Sequence, residues 1–460
     1  KMWGLDPKGE MWKLPASHVG DYAEQDAALT LRLWHYLQRE ISSQNLVNIF
    51  ELETDLFPVL FKMKQKGVRV DLDKAERIKN DLQSKENKIL RSIKKLTNCD
   101  VEVWAAASVA KAFESLKISY DRTPTGQPKF DKNFLASHDS PLAQMVVEAR
   151  EINKARTTFI ESITKHSHRG RIHAEIHQMR SDQGGTVTGR FSYSNPNLQQ
   201  IPARHAILGP LIRSIFIPEK DCEWGIFDYS QQEPRLVVHY ATMKQYSGAG
   251  QLVDAYEHDD ETDFHQLVAD MADIPRKQAK TINLGLFYGM GKGKLMSQLG
   301  VSLEEATELL NSYHQRVPFV KQLMNDTMNK ASKKGFLFTL EGRRCRFDLW
   351  EPTNEWGSKA LPLAEAQREY GESMIKRAWT YKALNRLIQG SAADQTKKAM
   401  VALDKEGYVA HIQVHDELDF SVANEKDKDT IKEIMETCVE LQVPSKVDVE
   451  CGKNWGDAGD

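Results

Sequence analysis

Val414-His415-Asp416-Glu417-Leu418 sets two adjacent carboxylates at the tip of a β-hairpin, between an apolar run over 408–414 and another over 418–422. Far upstream a second apolar strand, Trp224-Gly225-Ile226-Phe227-Asp228-Tyr229-Ser230, also ends on a carboxylate. Two Asp side chains brought together from separate strand ends can hold a pair of Mg²⁺ ions. Such a site stabilises both the attacking and the leaving oxygen of a phosphoryl transfer. Taken alone, His415-Asp416-Glu417 reads equally well as a polar turn, and the rest of the chain decides.

Working outward, strands lie at both ends of a helical stretch. Residues 17–65 read as helices, with Ala27, Leu29, Leu31, Leu33 and Trp34 among polar residues over 24–37. Residues 67–71 are extended, and 73–95 carry Ile78, Leu82, Ile89, Leu90 and Ile93 at helical spacing. Thr123-Pro124-Thr125-Gly126-Gln127-Pro128 marks 121–130 as a loop. A helix is expected near 141–164, short strands and turns over 171–228, long helices from 263 to 334, a hairpin over 335–345, a helix-rich stretch to 405, and strands at 408–414 and 418–422. One sheet assembled from distant segments would carry both Asp228 and Asp416, with helical lobes leaving a cleft above it. The fold class is α+β.

The chain has 460 residues, which calls for several subdomains. Its 62 basic and 65 acidic residues give a net charge of −3, which excludes a uniformly basic nucleic-acid binder but not a local basic channel. Cys99, Cys222, Cys345, Cys438 and Cys451 are scattered, with no C-x-x-C pair, and suit a reducing cytosol better than a disulfide framework. No apolar run approaches the roughly 20 residues that cross a bilayer. The first residue is Lys1, so the chain reads as cut from something longer.

Pro275-Arg276-Lys277-Gln278-Ala279-Lys280 opens a helix running to Gly289, with Pro275 as its first residue. Arg276 and Lys280 are neighbours on one face, and Leu284 and Tyr288 continue the stripe. Two cations a turn apart can grip a triphosphate, and an aromatic beyond them can support a base. An ordinary basic helix face with a buried Tyr has the same pattern.

Together these segments resemble DNA polymerase family A, the group of bacterial DNA polymerase I and many phage replicases. Asp228-Tyr229-Ser230-Gln231-Gln232-Glu233-Pro234-Arg235 is similar to its motif A, residues 276–289 to motif B, and His415-Asp416-Glu417 to motif C. Thr188-Gly189-Arg190-Phe191-Ser192 with Asn195-Pro196-Asn197-Leu198-Gln199-Gln200-Ile201-Pro202 resembles the primer-contact segment. Asn385 with Gln389-Gly390, and Thr339-Leu340-Glu341-Gly342-Arg343-Arg344, fit further elements in order. The resemblance extends over nearly the whole chain, to Asn454-Trp455. It implies the right-hand fold, with palm at 46–69, 171–231 and 404–460, thumb at 70–170 and fingers at 232–403. Tyr22-Ala23-Glu24-Gln25-Asp26 is similar to an element of a 3′–5′ exonuclease, so residues 1–45 read as the tail of a proofreading domain. Plain helix residues are the alternative.

The resemblance also implies roles. Asp228 and Asp416, aided by the Tyr229 carbonyl, would hold two Mg²⁺ ions, with Glu417 a secondary carboxylate or a solvated turn residue. Arg276 and Lys280 would bind the triphosphate, and Lys280 would protonate the leaving group. Leu284, Tyr288 and His265 would flank the dNTP, although a structural role suits His265 as well. Glu233, hydrogen-bonded to Tyr288, matches the steric gate against a ribose 2′-OH and points to dNTPs. Arg190, Asn197, Gln199, Asn385, Gln389 and His415 would touch the primer-template duplex. Their groups would probe minor-groove acceptors that look alike for every correct pair. Lys154 and Arg156 resemble phosphate contacts, or form a solvated helix face.

Four departures from the pattern stand out. Leu284 replaces an aromatic, so discrimination against dideoxynucleotides should persist. Pro234 follows the gate residue in the first helical turn, where Pro is tolerated. The link from His265 to Arg276 is short, and 345–380, with Trp350, Pro352, Trp356 and Trp379, is longer than in bacterial relatives. These traits favour a phage source. The resulting expectation is a monomeric, cytoplasmic, template-directed DNA polymerase with no membrane association and no evident insertion for a processivity partner. The competing readings are a reverse transcriptase on the same scaffold, a silent primer-template binder, and a nuclease. Intact Asp228, Asp416, Arg276 and Lys280 speak against the silent binder, and the missing exonuclease carboxylates against the nuclease.

Overall fold

The structure is a computed structural model that describes residues 9–180, 184–203, 205–287, 290, 292–355 and 357–459. Its central sheet is antiparallel and runs Ile412–Val414, Glu417–Val422, Glu223–Tyr229, Val447–Gly452. Glu223–Tyr229 is paired on both edges and covered on both faces, which is why it reads as a nearly continuous apolar run. Directly opposed residues share a face. The register Glu417↔Asp228↔Asp448 therefore puts three carboxylates in one row across the sheet. Behind that row, Trp455 stacks on Trp224 at 5.9 Å and the Arg213 guanidinium lies 4.3 Å from the Trp455 ring. The opposite face, with Phe227, Leu418 and Phe420, is buried in a core that includes Met400, Ile431 and Met435.

A smaller sheet, Ser167–His168, Arg171–Ile172, Val68–Val70 and Phe216–Ile217, adjoins this one. One helical lobe contains Leu72–Thr97, Ala106–Ser115 and Pro141–Lys154, with a core of Ile93, Val109, Phe113, Leu142 and Val146. Its base, Ala75, Ile78, Leu82 and Ile152, joins the core of the sheet. A second lobe runs from Gln232–Met243 to Pro318–Lys334 around Leu236, Phe264, Ile282 and Phe319. The helix Ala383–Lys405 links the second lobe to the sheet. Leu384, Ile388 and Ala392 pack in the lobe, and Ala399, Met400 and Leu403 in the sheet core.

At this junction lies a buried charged network. Arg343 donates to Asp394 (Nε–Oδ1 2.8 Å) and to Glu53 (Nη2–Oε1 2.5 Å), and Lys397 donates to Glu53 at 2.7 Å and to the Gln178 carbonyl at 3.1 Å. Lys397 and Asp394 are wholly inaccessible. Burial pushes the Lys397 ammonium down to about 8 despite Glu53. Burial alone would raise Glu53, but Lys397 and Arg343 more than offset it and hold the carboxyl below its ordinary value. Two glycines permit the close approach around it. A Cβ on Gly390 would lie 2.7 Å from Thr339, and one on Gly189, which has φ +86°, would lie 2.7 Å from Arg343.

Several expectations are corrected. Residues 345–380 are not helix-rich. Among the described residues they form a three-stranded sheet of Leu361–Pro362, Leu349–Pro352 and Ile375–Arg377, with the α-helix Leu363–Tyr370 and a short 3-10 turn, Glu372–Met374. Pro352, Gly357, Pro362 and Gly371 break the run, and the Arg377 guanidinium lies 4.7 Å from the Trp350 ring. Trp356 lies outside the described residues. Residues 121–130 are a small hairpin, with Asp121–Arg122 paired to Pro128–Lys129 around the turn. The strand expected from 408 begins at Ile412, after Gly407 turns the chain at φ +89°. The motif helix is Arg276–Phe287, and Pro275 precedes it, its carbonyl accepting from Ala279 N. Tyr288 and Gly289 lie outside the described residues. The helix expected near 141–164 is Pro141–Lys154 continued by a π-helical turn, Ala155–Ile160, and by Glu161–His166. The helix Ala16–Ser43 buries none of its side chains, and on it Tyr22 and Asp26 interact one turn apart. Among the described residues no helix is long and apolar enough to cross a membrane.

Candidate active site

The sheet brings the two strand-end aspartates together. Tyr229 N donates to the Asp416 carbonyl at 3.3 Å, which ties the hairpin tip to the end of the central strand. His415 takes the left-handed conformation (φ 58°) at that tip. Gln413 donates from Nε2 to the His415 carbonyl at 2.5 Å and accepts from Gln199 Nε2 at 3.0 Å. Asp228 Oδ1 is buried with no hydrogen-bond partner among the described residues. Burial, then the charges of Asp416, Glu417, Asp448 and Glu450, push the Asp228 carboxyl up to about 8, and burial raises Asp416 as well. Glu417 is not a solvated turn residue. It is half-buried, accepts from Trp455 Nε1 at 3.2 Å, and burial raises its carboxyl.

Among the described residues no group of three His, Cys, Asp or Glu side chains converges into a ready metal cage. The donors here are two Asp and a backbone carbonyl, all oxygen, which suits a hard cation. An orphaned buried carboxylate oxygen among crowded like charges is what such a cation relieves. The residues therefore fit the expected ions.

Arg190 Nη2 donates to Glu233 Oε1 at 2.6 Å. Glu233 sits in the first turn of Gln232–Met243, where an acid also suits the helix dipole. Pro234 occupies that same turn, as expected, because no intrahelical donor is required there. Both charges of the pair act on Asp416, so the gate candidate and the metal-binding candidate share one site. The pairing of Glu233 with Tyr288 lies outside the described residues.

Arg276 is not a free cation. Its Nε donates to Asp263 at 2.7 Å, and Asp263 also caps the helix Phe264–Ala272. Lys280 is exposed and has no ion pair among the described residues. Leu284 is half-buried between these cations and the helix end. His265 is buried, and its Nδ1 meets Asn283 Nδ2 at 3.1 Å while Asn283 also bonds the Tyr313 hydroxyl. Burial lowers the His265 imidazole to about 4, with Arg276 and Lys280 helping and Asp263 opposing. Between about 4 and the unfolded value near 6.5, the unfolded chain binds this proton and the native one does not, so stability falls as pH falls through that window. His265→Gln should make the pH dependence of unfolding shallower there by about one proton relative to wild type. Denaturant titrations of both proteins at several pH values between 4 and 7 would check this, and parallel profiles would refute it.

Arg190, Gln199 and His415 line one narrow cleft with Phe191 and Gln413. Asn385 and Gln389 are half-buried one turn apart on Ala383–Lys405. Asn197 caps the turn Leu198–Gln200 by accepting from Gln199 N. Lys154 is exposed near the Phe159 ring. Arg156 is committed to Glu86 (3.1 Å) and Glu161 (2.7 Å), so a phosphate would have to compete for it. Sequence reasoning missed Gln413, Asn283, Gln231 and Asp448. Gln231 bridges the Thr262 carbonyl and Phe264 N, fixing the strand end to the helix that carries His265. The alternation Val447-Asp448-Val449-Glu450 was the signal that would have revealed the fourth strand.

The profile of DNA polymerase family A matches residues 72–457. A DNA-directed DNA polymerase of Pseudomonas phage M6 is 38% identical over 99% of this chain and 73% of its own length. The DNA polymerase DpoZ of Vibrio phage phiVC8 is 31% identical over 97% of this chain and 72% of its own. DNA polymerase I of Pseudomonas aeruginosa is 31% identical over 97% of this chain, which spans 48% of that enzyme. Among solved structures, the POL domain of Pol1 from M. smegmatis, in complex with DNA primer-template and dNTP, superposes with a TM-score of 0.77 at 27% identity. That match covers 94% of this chain and 75% of the other.

Proposed function

The chain belongs to DNA polymerase family A, and we propose that it extends a primer 3′-OH with dNTPs by two-metal nucleotidyl transfer, releasing pyrophosphate. Template-directed DNA synthesis is the family's activity, and the fold is the α+β right hand. The observation that carries the mechanism is the juxtaposition of Asp228 and Asp416 across the Tyr229–Asp416 backbone bond, with Asp228 Oδ1 buried and unpartnered among the described residues. Mg²⁺ held by Asp228, Asp416 and the Tyr229 carbonyl would acidify the primer hydroxyl and neutralise the leaving pyrophosphate. Lys280 and Arg276 bind the triphosphate, and Asp263 holds the Arg276 guanidinium in place until the nucleotide arrives. Lys280 supplies the proton for the leaving group. The Arg190–Glu233 pair sets the floor under the sugar, and Arg190, Gln199 and His415 line the cleft at the primer terminus. The sheet with 46–69, 171–231 and 404–460 serves as palm, 70–170 as thumb and 232–403 as fingers. The protein acts as a monomer on primer-template DNA in a bacterial host's cytoplasm, in replication or repair.

Primer extension with Mg²⁺ on a primed DNA template, with dNTPs and rNTPs in parallel, tests the reading. Extension with dNTPs alone is expected, and no extension with duplex binding intact would overturn it. Glu233→Ala should narrow the dNTP/rNTP ratio of kcat/KM by roughly 100-fold, the equivalent of about 3 kcal/mol. An unchanged ratio would remove Glu233 from the gate while leaving the polymerase.

A further inference from the structure

Away from the carboxylate row, the second lobe encloses a polar trio in its apolar core. Tyr313 and Asn283 are wholly inaccessible and His265 keeps 8% exposure, among Phe264, Ile282 and Phe319. Each member comes from a different helix: Tyr313 from Leu303–Arg316, Asn283 from Arg276–Phe287 and His265 from Phe264–Ala272. The Tyr313 hydroxyl donates to Asn283 Oδ1, and Asn283 Nδ2 lies 3.1 Å from His265 Nδ1. On its helix Asn283 continues the stripe of Arg276 and Lys280 one turn further on. The His265 end is pinned as well. Asp263 caps that helix by accepting from His265 N at 2.8 Å and also holds Arg276, while Gln231 accepts from Phe264 N at 2.9 Å. The imidazole is therefore fixed between the strand end that carries Asp228 and the helix that carries the two cations, and both cations act on it.

The chain of donors decides which ring nitrogen carries the hydrogen. Burial raises the Tyr313 hydroxyl far above its ordinary value, so it keeps its proton. Among the described residues Asn283 is its only hydrogen-bond partner. Were the amide reversed, the hydroxyl would accept from Nδ2, and its own hydrogen would be left buried without an acceptor, which is costly. The amide oxygen therefore faces Tyr313, and the amide nitrogen, a donor only, faces His265. Nδ1 must accept. Burial keeps the imidazole neutral down to about pH 4, so its one hydrogen sits on Nε2. A core histidine held for packing alone satisfies both nitrogens inside the fold. Here Nε2 forms no hydrogen bond among the described residues. An N–H beside Arg276 and Lys280 suits an anion that reaches them.

We propose that Asn283 and Tyr313 are positioning residues for nucleotide binding: they lock His265 as the Nε2–H tautomer, an uncharged donor to the triphosphate held by Arg276 and Lys280. This deepens, and rests on, the triphosphate reading above. The test has a spectroscopic arm and a kinetic arm. In the whole chain labelled with ¹⁵N-histidine, long-range ¹H–¹⁵N correlation at pH 7 reads the tautomer, and the signals missing from His265→Gln assign this residue among the 14 histidines. Wild type should show a bare Nδ1 and a protonated Nε2. The double variant Asn283→Leu, Tyr313→Phe removes the amide and the hydroxyl together, so neither strands the other. It should draw both nitrogens towards an average of the two tautomers. Tyr313→Phe alone, the milder change, frees the amide to turn and should shift the nitrogens the same way. In primer extension the double variant should raise the dNTP KM about tenfold with kcat within a few-fold of wild type. In a His265→Gln background the same pair should add nothing. A protonated Nδ1 in wild type, or a KM loss just as large in the His265→Gln background, would overturn the proposal alone. A wild type that shows the expected tautomer but extends no primer would overturn the polymerase reading, and the proposal with it.

Discussion

Asp416→Ala is expected to lower kcat for nucleotide addition by roughly 10³-fold or more, at least about 4 kcal/mol of barrier, with primer-template affinity within a few-fold of wild type. The size follows from where the side chain sits. Asp416 is half-buried at a hairpin tip, held there by its own carbonyl through Tyr229 N, so removing the carboxylate leaves the backbone bond intact. Folding should not suffer, because Asp416 is one of the charges that push Asp228 upward. Deleting it relieves repulsion in the metal-free protein. Activity and stability should therefore separate, with chemistry lost and thermal unfolding unchanged or slightly later. Single-turnover extension beside a melting curve reads both. A variant that unfolds early, or one that extends primers normally, would remove Asp416 from the metal site.

Glu53→Ala should produce the largest loss of stability, about 3–5 kcal/mol, without touching any candidate substrate contact. Glu53 is the shared acceptor of Arg343 and Lys397, and Lys397 is wholly buried. Removing the carboxylate strands an ammonium whose remaining named acceptor is the Gln178 carbonyl. Breaking one side of a buried pair is far more damaging than replacing both. Glu53→Met with Lys397→Met should therefore recover most of what Glu53→Ala loses. Because a chain of several lobes need not unfold in one step, a shift of the melting transition is the appropriate readout. Little shift in Glu53→Ala, or no recovery in the double variant, would show that the network does not hold the lobes together.

Much of the candidate site was legible in the sequence because its parts are local. A carboxylate at the end of an apolar strand, cations four apart on a helix, and a Glu in the first turn after Asp228 are all fixed by residue spacing. The order of these motifs identified the family, which the match over residues 72–457 bears out. Residues 345–380 misled because their Trp and Pro residues carry no clear period, and their short strands are defined by pairing between separate segments, Leu349–Pro352 with Leu361–Pro362 and with Ile375–Arg377.

The sequence by itself determined which residues could carry chemistry and that Asp228 and Asp416 would end strands of one sheet. The tertiary structure decided which charges are already spent. Arg276 is held by Asp263, Arg190 by Glu233 and Arg156 by Glu86, while Lys280 and the lysines of Pro318–Lys334 form no such pairs among the described residues. It also decided that Asp448 joins the row beside Asp228, and that Glu53 meets Lys397 across most of the chain. Spacing along a helix or strand follows from backbone geometry. The choice of partner for a charge depends on distances between segments far apart in sequence and on how much water the fold leaves between them.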